Sequence, residues 1–145
     1  MRHLCDAQVF LAVVLDAHAH HQRARRWFEE LTEDDTAEFC RVTQISFMRL
    51  LTTEAVCRRH TLTNRRAISV YRRLCGDSNV GFCAEPQGME QAWLREAFVS
   101  KPSPKLWNDA YLAALAKLNS MRLVSFDRGF RSFRGLDLLL LRPNP

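Results

Sequence analysis

Short apolar segments alternate with longer amphipathic ones along the chain, and this alternation restricts the fold more than any other feature. Candidate strands cover residues 3–6, 39–43, 80–84 and 122–126, and residues 136–141 form a fifth candidate suited to a sheet edge. Apolar residues in the intervening segments recur every three or four positions, which is typical of helices. Strands that alternate with helices favour a parallel sheet covered on both faces. We therefore predict a three-layer α/β/α fold around a parallel sheet of four or five strands.

Capping residues locate two of the expected helices. Thr63 or Asn64 is a suitable N-cap, and the helix that follows is expected to end near Leu74. Farther along, Ser103 and Pro104 are expected to be the cap and the first residue of the helix that precedes the fourth strand.

The composition is that of a globular domain with an excess of positive charge. The 145 residues are 47% hydrophobic and 26% charged, with a formal net charge of +5. A chain of this length buries roughly two-thirds of its unfolded surface when it folds as one domain. Because no repeat, low-complexity tract or long linker divides the sequence, we expect a single domain over residues 1–145. The positive charge favours a polyanionic partner.

Several functional classes are disfavoured by what the sequence lacks. Its five cysteines are odd in number and contain no CxxC pair, which argues against a disulfide framework or a zinc site and favours the reducing cytoplasm. No apolar run approaches the roughly twenty residues that span a bilayer, so we expect no membrane anchor and no signal peptide. The absence of GxGxxG and GK[ST] spacing argues against nucleotide-dependent kinases and dehydrogenases.

Aspartates stand where two of the predicted strands end. Asp6 follows the first strand and Asp127 follows the fourth, while Asp109 lies near the start of the helix that leads into that fourth strand. Ligands of open parallel sheets bind beyond the carboxyl ends of the strands, so these three side chains are expected to meet at one edge. Each aspartate alone is equally well explained as a turn former or helix cap. Three converging carboxylates repel one another, and a hard cation such as Mg²⁺ or Mn²⁺ would relieve that repulsion.

Four blocks of the sequence occur in the order and at the spacing of a known family, and they cover nearly the whole chain. The blocks are HLCDAQVFLAVVLD, RVTQISFMRLLT, LWNDAYLAALA and LVSFDRGF. Together they resemble the PIN-domain family, specifically the VapC-type toxins of bacterial toxin–antitoxin pairs. The resemblance implies a parallel sheet between helices and an endoribonuclease activity on RNA that depends on Mg²⁺ or Mn²⁺. It also implies a cognate VapB-type antitoxin and a homodimer.

The resemblance assigns roles to individual positions of this chain. Asp6, Asp109 and Asp127 match the acids that bind the catalytic metal in the family. Ser125 matches a position where the family often has a hydroxyl near the metal. Asn108 matches the polar residue that commonly precedes the acid on the helix. The alternatives are that Ser125 is a small strand residue and Asn108 a cap.

The second block departs from the family at one position. Related toxins often have Glu where this chain has Gln44, which keeps a carbonyl oxygen but carries no charge. Three carboxylates instead of four would bind metal more weakly, or bind one ion instead of two. This departure favours an alternative function, a catalytically weak PIN-like module that acts mainly through partner binding. A receiver or phosphatase-like domain is a third hypothesis, but CDAQV lacks the adjacent acids expected there after the first strand.

Arginines are the candidate RNA-binding residues. Arg65 and Arg72 are seven positions apart, so they share one face of a helix, and Arg128 directly follows Asp127. Guanidinium groups suit phosphate recognition, and we expect these side chains to contact RNA. The alternatives are a solvated helix face for the first two and an ion pair with a neighbouring carboxylate for Arg128.

Histidines cluster before the second helix, at His18, His20 and His21. Their spacing suggests a metal site, but no cysteine is near and only Asp16 is available to assist. Capping of a surface helix and solvation explain the cluster better.

Overall fold

Five short strands in residues 1–142 form one sheet, and all neighbouring strands run parallel. In chain order they are β1 (Arg2–Cys5), β2 (Thr36–Phe39), β3 (Val80–Phe82), β4 (Arg122–Ser125) and β5 (Leu138–Leu140). The strands lie side by side in the order β3-β2-β1-β4-β5. The predicted fold class is confirmed, with five strands in this computed structural model. The model describes residues 1–142, so the last three residues of the predicted domain lie outside the described residues.

Seven helices and two 3₁₀ turns connect these strands within residues 1–142. The helices are α1 (Ala7–Val14), α2 (His21–Glu29), α3 (Arg41–Leu51), α4 (Glu54–Cys57), α5 (Asn64–Cys75), α6 (Met89–Glu96) and α7 (Leu106–Leu118). The 3₁₀ turns cover Arg58–His60 and Arg128–Ser132. None of these helices combines the length and the apolar composition needed to cross a lipid bilayer.

The sheet separates two hydrophobic cores. Successive side chains of a strand point to opposite faces, and the two central strands β1 and β4 follow this rule. Cys5 and Val124 pack with α1, α2, α3 and α5, whereas Leu4 and Leu123 pack with α6 and α7 on the other face. Because both faces are covered, consecutive residues of these strands are apolar, as in other parallel sheets.

Three buried phenylalanines fix helix α1 against the sheet. The ring of Phe10 stacks on that of Phe39, with centroids 3.7 Å apart and planes 11° from parallel. Phe47 of α3 meets Phe10 edge-on, with centroids 6.2 Å apart, and all three side chains are fully buried. Helix α1 begins directly after Asp6, so this packing also holds the end of β1 in place.

The second strand lies earlier in the chain than its predicted position at residues 39–43. Strand β2 ends at Phe39, and helix α3 begins at Arg41. The prediction is wrong because Thr43 turns the chain into a helix: its Oγ1 accepts a hydrogen bond from the backbone N of Cys40 at 2.9 Å. The two residues form a capping box.

The two predicted caps have different outcomes. Thr63 is the N-cap of α5, as predicted, and its Oγ1 accepts a 3.2 Å hydrogen bond from the first turn of the helix. Helix α7, in contrast, begins at Leu106 with Lys105 at its N-cap. The prediction of Ser103 and Pro104 is wrong because the Ser103 carbonyl accepts a hydrogen bond from the Leu106 backbone N at 3.1 Å, closing a turn before the helix.

Candidate active site

Neighbouring strands and one helix bring the three aspartates to a single edge of the sheet. Cys5 of β1 pairs with Val124 of β4, and the backbone N of Asp6 donates to Val124 O at 3.0 Å. Asp127 follows two positions after the end of β4. Asp109 lies in the first turn of α7, the helix that leads into β4. All three aspartates line one cavity.

Ser125 forms hydrogen bonds with two of these aspartates. Its side chain is fully buried, and its Oγ donates a 2.9 Å hydrogen bond to Oδ2 of Asp6. The same oxygen accepts a hydrogen bond from the backbone N of Asp127 at 3.0 Å. A buried hydroxyl that uses both its donor and its acceptor capacity fixes the groups around it. Asp6 itself makes no side-chain capping bond to α1, so capping does not explain its carboxylate.

Asp127 caps the 3₁₀ turn that follows it, and Gly129 makes this possible. Oδ1 of Asp127 accepts a hydrogen bond from the backbone N of Gly129 at 2.8 Å. A Cβ atom at position 129 would lie 3.1 Å from that oxygen, tighter than most real contacts. Glycine at position 129 therefore lets Oδ1 of Asp127 cap its own turn, while Oδ2 remains available to Lys105.

A lysine that the sequence analysis missed lies among the carboxylates. The ammonium of Lys105 forms an ion pair with Oδ2 of Asp127 and lies 3.9 Å from Oδ2 of Asp109. Its side chain is 71% exposed. The available signal in the sequence was the spacing of four between Lys105 and Asp109, which puts both on one side of the first turn of α7.

The pKa values of the three aspartates shift in different directions. Burial and repulsion between the carboxylates raise a pKa, whereas the contact with Lys105 lowers one. Burial raises the pKa of Asp6, although the hydrogen bond from Ser125 opposes it. Burial also raises the pKa of Asp109, against the attraction of Lys105 and with the repulsion of the other two aspartates. The hydrogen bond from Lys105 holds the pKa of Asp127 below its ordinary value, and the Gly129 backbone N adds to this effect. A cation at this edge therefore favours the charged form of the acids.

The donor atoms fit a hard divalent cation. They are carboxylate oxygens with a hydroxyl beside them, which Mg²⁺ and Mn²⁺ prefer, and an ammonium group already lies next to two of them. Within residues 1–142, no group of three or more acidic, histidine or cysteine side chains lies close enough together to hold a metal ion. Mg²⁺ commonly takes only one or two carboxylates and completes its coordination with water and substrate oxygens, which this arrangement allows.

The cavity is large enough for part of a nucleic acid chain, at about 1030 Å³. Its lining includes the aspartates, Ser125 and Asn108, so Asn108 borders the same cavity as the three acids. The facing walls come from the segment between α1 and α2, from α3 and from the Arg58–His60 turn. Cavities of this size at the carboxyl edge of a parallel sheet are typical ligand sites.

Gln44 does not lie where the sequence analysis placed it. Its Nε2 donates a 2.6 Å hydrogen bond to the hydroxyl of Tyr71 on α5, and its Oε1 accepts from Arg41. The helical period of α3 directs this side chain away from the aspartates and turns Ser46 into the cavity instead. The residues that α3 contributes to the cavity are Val42, Thr43 and Ser46, and none of them is acidic.

The predicted RNA-binding arginines lie away from the cavity. Arg65 and Arg72 are exposed on α5, and Arg128 is exposed in the 3₁₀ turn after β4. None of the three lines the cavity, whereas Arg58 and Arg59 do. Arg58 and Arg59 were not among the predicted RNA-binding residues, and only the position of the turn after α4 brings them to the cavity.

Comparisons with known proteins agree with this geometry. The model of the PIN domain family matches residues 4–136. Ribonuclease VapC41 of Mycobacterium tuberculosis is 39% identical over 142 residues, which cover 95% of this chain and 97% of that protein. Ribonuclease VapC38 of the same organism is 29% identical over 138 residues, covering 87% of this chain and 85% of the relative.

Solved structures share the fold at low sequence identity. VapBC2 from Rickettsia felis, bound to a DNA fragment from its promoter, superposes with a TM-score of 0.70 at 11% identity and covers 98% of this chain and 100% of the other. VapC20 of Mycobacterium tuberculosis, a Sarcin-Ricin loop cleaving toxin, gives a TM-score of 0.70 at 18% identity and covers 97% and 99%. With most of its length matched by the family model and by a relative of 39% identity, the chain belongs to the PIN-domain family and, within it, to the VapC proteins.

Proposed function

We propose that the protein is an endoribonuclease toxin that requires Mg²⁺ or Mn²⁺ and is neutralised by a cognate VapB-type antitoxin. The observation that carries the proposal is the convergence of Asp6, Asp109 and Asp127 at the floor of one cavity. Similarity to ribonuclease VapC41 supports RNA as the substrate. Solved VapBC toxin–antitoxin complexes with the same fold support the antitoxin.

Each residue of the site has a defined task in this proposal. Asp6, Asp109 and Asp127 would hold the cation, which when bound stabilises negative charge on a phosphoryl oxygen and activates a water molecule. Ser125 orients Asp6 through its 2.9 Å hydrogen bond. Lys105 would compete with the cation for Asp127 and Asp109, because its ammonium lies close to both carboxylates.

The surroundings of the site suit RNA and a reducing environment. Arg58 and Arg59 line the cavity and offer positive charge to phosphates. All five cysteines are free thiols, and the cytoplasm is the location that we propose. A homodimer stays a prediction from the family resemblance.

Metal dependence is the first test of this function. We expect purified protein to cleave cellular RNA in Mg²⁺ or Mn²⁺ and to stop in EDTA, because the carboxylates cannot by themselves stabilise the charge of the reaction. The measurement is the rate of RNA cleavage at increasing metal concentration, with Ca²⁺ as a cation of equal charge and different coordination. Cleavage that continues in EDTA would contradict the metal mechanism.

The alternative function gives a different result in the same experiment. A catalytically weak module that acts by partner binding is favoured because helix α3 contributes no acid to the cavity that the three aspartates line. Such a protein would bind an antitoxin tightly and leave every RNA intact in Mg²⁺ and in Mn²⁺.

An acid at position 46 is expected to strengthen metal binding. Ser46→Glu adds a carboxylate on the cavity wall, and we expect it to raise the affinity for Mn²⁺ by about tenfold, since ligand charge tunes cation affinity. Gln44→Glu is the matched control, because residue 44 faces Tyr71 and does not line the cavity. Isothermal titration of both variants measures the effect. Equal affinities for the two variants would show that Ser46 does not face the bound cation.

A further inference from the structure

An aromatic surface adjoins the aspartates on the wall of the cavity. The ring of Phe126 lies between Ser125 and Asp127 in the chain, and His20 stacks on it with centroids 4.7 Å apart and planes 29° from parallel. His18 lies over the same ring at 6.1 Å and 25°. All three rings line the cavity. We refer to His18, His20 and Phe126 as the aromatic shelf.

The hydrogen bonds of His18 make its ring a neutral aromatic surface. Its Nδ1 accepts a 3.0 Å hydrogen bond from the backbone N of His20, so the ring proton is on Nε2, which lies 3.3 Å from Oε1 of Gln8. Burial lowers the pKa of His18, and the neighbouring His20 and His21 add to this effect. With both nitrogens engaged, His18 is an uncharged aromatic residue where it lines the cavity.

Neither metal binding nor helix capping, the roles considered for His18, His20 and His21 from the sequence, explains the aromatic shelf. His20 is the residue before α2 but makes no side-chain capping bond, so the expectation of helix capping is wrong for it. His21 lies outside the cavity wall: its Nδ1 donates to Ala12 O at 2.7 Å and its Nε2 lies 3.4 Å from Asp16. With both nitrogens of His18 and both of His21 engaged, the cluster does not offer the several free imidazole donors that a metal site would need.

Two arginines, Arg58 and Arg59, line the cavity at the 3₁₀ turn that follows α4. Arg58 has a φ of 51° and a ψ of −124°, an uncommon conformation for a residue with a side chain. Its carbonyl oxygen is held by Thr61, which donates from Oγ1 at 2.5 Å and from its backbone N at 3.2 Å. Strained residues that neighbours hold in place are common at functional sites. Within residues 1–142 the ion pairs leave both Arg58 and Arg59 without a carboxylate partner.

We propose that the aromatic shelf stacks one unpaired RNA base next to the phosphate that is cleaved. Proteins bind single-stranded nucleic acid by combining aromatic side chains with cationic groups that follow the backbone, and this cavity contains both beside the aspartates. A base paired inside a duplex already stacks on its neighbours and cannot reach a recessed ring. The inference rests on the proposed function and deepens it by assigning the base beside the cleaved phosphate to these three rings.

The test separates binding from cleavage by working in EDTA. The probes are a short single-stranded RNA of mixed sequence that carries one 2-aminopurine and the same strand annealed to its complement. We expect the wild-type protein to bind the single strand more tightly and to quench the 2-aminopurine fluorescence. His20→Ala should raise the dissociation constant for the single strand by about tenfold, within the range found for loss of one stacked base, and leave binding of the duplex unchanged.

Matched variants distinguish stacking from loss of structure. His20→Phe keeps an aromatic face and should retain both the affinity and the quenching, and Phe126→Leu keeps an apolar side chain and should lose both. His21→Ala, at a histidine outside the cavity, should bind like the wild type. The thermal unfolding midpoint of each variant reports whether it is folded.

Two results would overturn the inference. One is equal affinity of folded His20→Ala and wild type for the single strand, and the other is a loss in His20→Ala that His20→Phe does not restore. If the wild type cleaves RNA in Mg²⁺ in either case, the proposed function stands and only the shelf is rejected. A wild-type protein that neither binds nor cleaves RNA would reject both.

Discussion

Replacing Asp127 with Asn is expected to slow RNA cleavage by about a thousandfold, while the protein stays folded. The amide oxygen of Asn can still accept the hydrogen bond from Gly129, which is 2.8 Å long in the wild type. The negative charge that pairs with Lys105 is lost, and with it the attraction for a divalent cation at the centre of the site. A cation stabilises the transition state of phosphoryl chemistry by several kcal/mol, and about 1.4 kcal/mol corresponds to a tenfold change in rate. The measurement is the cleavage rate at saturating Mg²⁺.

A second aspartate near the sheet provides the control. Asp137 pairs with Arg122 at 3.0 Å, and half of its side chain is exposed. Asp137→Asn removes the same charge outside the cavity and should cleave RNA at the wild-type rate, since an exposed ion pair contributes little. Full activity of folded Asp127→Asn protein would refute the assignment of this residue to the metal.

Truncating Phe10 is expected to have the largest effect on stability. Phe10→Ala removes a fully buried ring that stacks on Phe39 at 3.7 Å. Such truncations lower the free energy of unfolding by about 3–5 kcal/mol, because a cavity is left behind. Typical domains are stable by only about 5–15 kcal/mol, so the variant loses a large share of its stability. Urea unfolding followed by circular dichroism measures the change.

An exposed phenylalanine serves as the reference for this experiment. Phe98 is 90% exposed, and Phe98→Ala should change the free energy of unfolding by no more than about 0.5 kcal/mol. A change below about 1 kcal/mol in Phe10→Ala would mean that the Phe10–Phe39–Phe47 cluster is not part of a tightly packed core.

The sequence predicted the strands whose apolar residues are uninterrupted. β1 and β4 pass between two cores, so their patterns are continuous and end in an acid, which located both the strands and the aspartates. β2 was misplaced because Glu38 interrupts its apolar pattern. This carboxylate is buried, and the bidentate hydrogen bonds from Arg2, both 2.8 Å long, stabilise it there. That pairing joins residues 36 positions apart, and no local pattern reveals it.

The residues of the site that were missed depend on how loops and helices are oriented. Lys105, Ser46 and His20 reach the cavity because of a turn before α7, the rotation of α3 and the path of the segment between α1 and α2. A sequence gives the period of a helix but not its rotation about its axis, which tertiary packing determines. Gln44 was chosen from its match to the family's second block, whereas the rotation of α3 places Ser46 in the cavity. The aspartates were found because a strand end has a fixed place in a parallel sheet.

The positive charge of Lys105 reduces the negative charge of the aspartates that a bound ion would have to balance. Three ionised aspartates and one lysine leave a formal charge of −2 at the edge of the sheet. One divalent ion would cancel the charge of these four side chains, and the positive charges of Arg58 and Arg59 in the same cavity would oppose a second ion. If the proposed function holds, this charge balance predicts that a single ion binds to the aspartates before RNA brings the further negative charge of its phosphates.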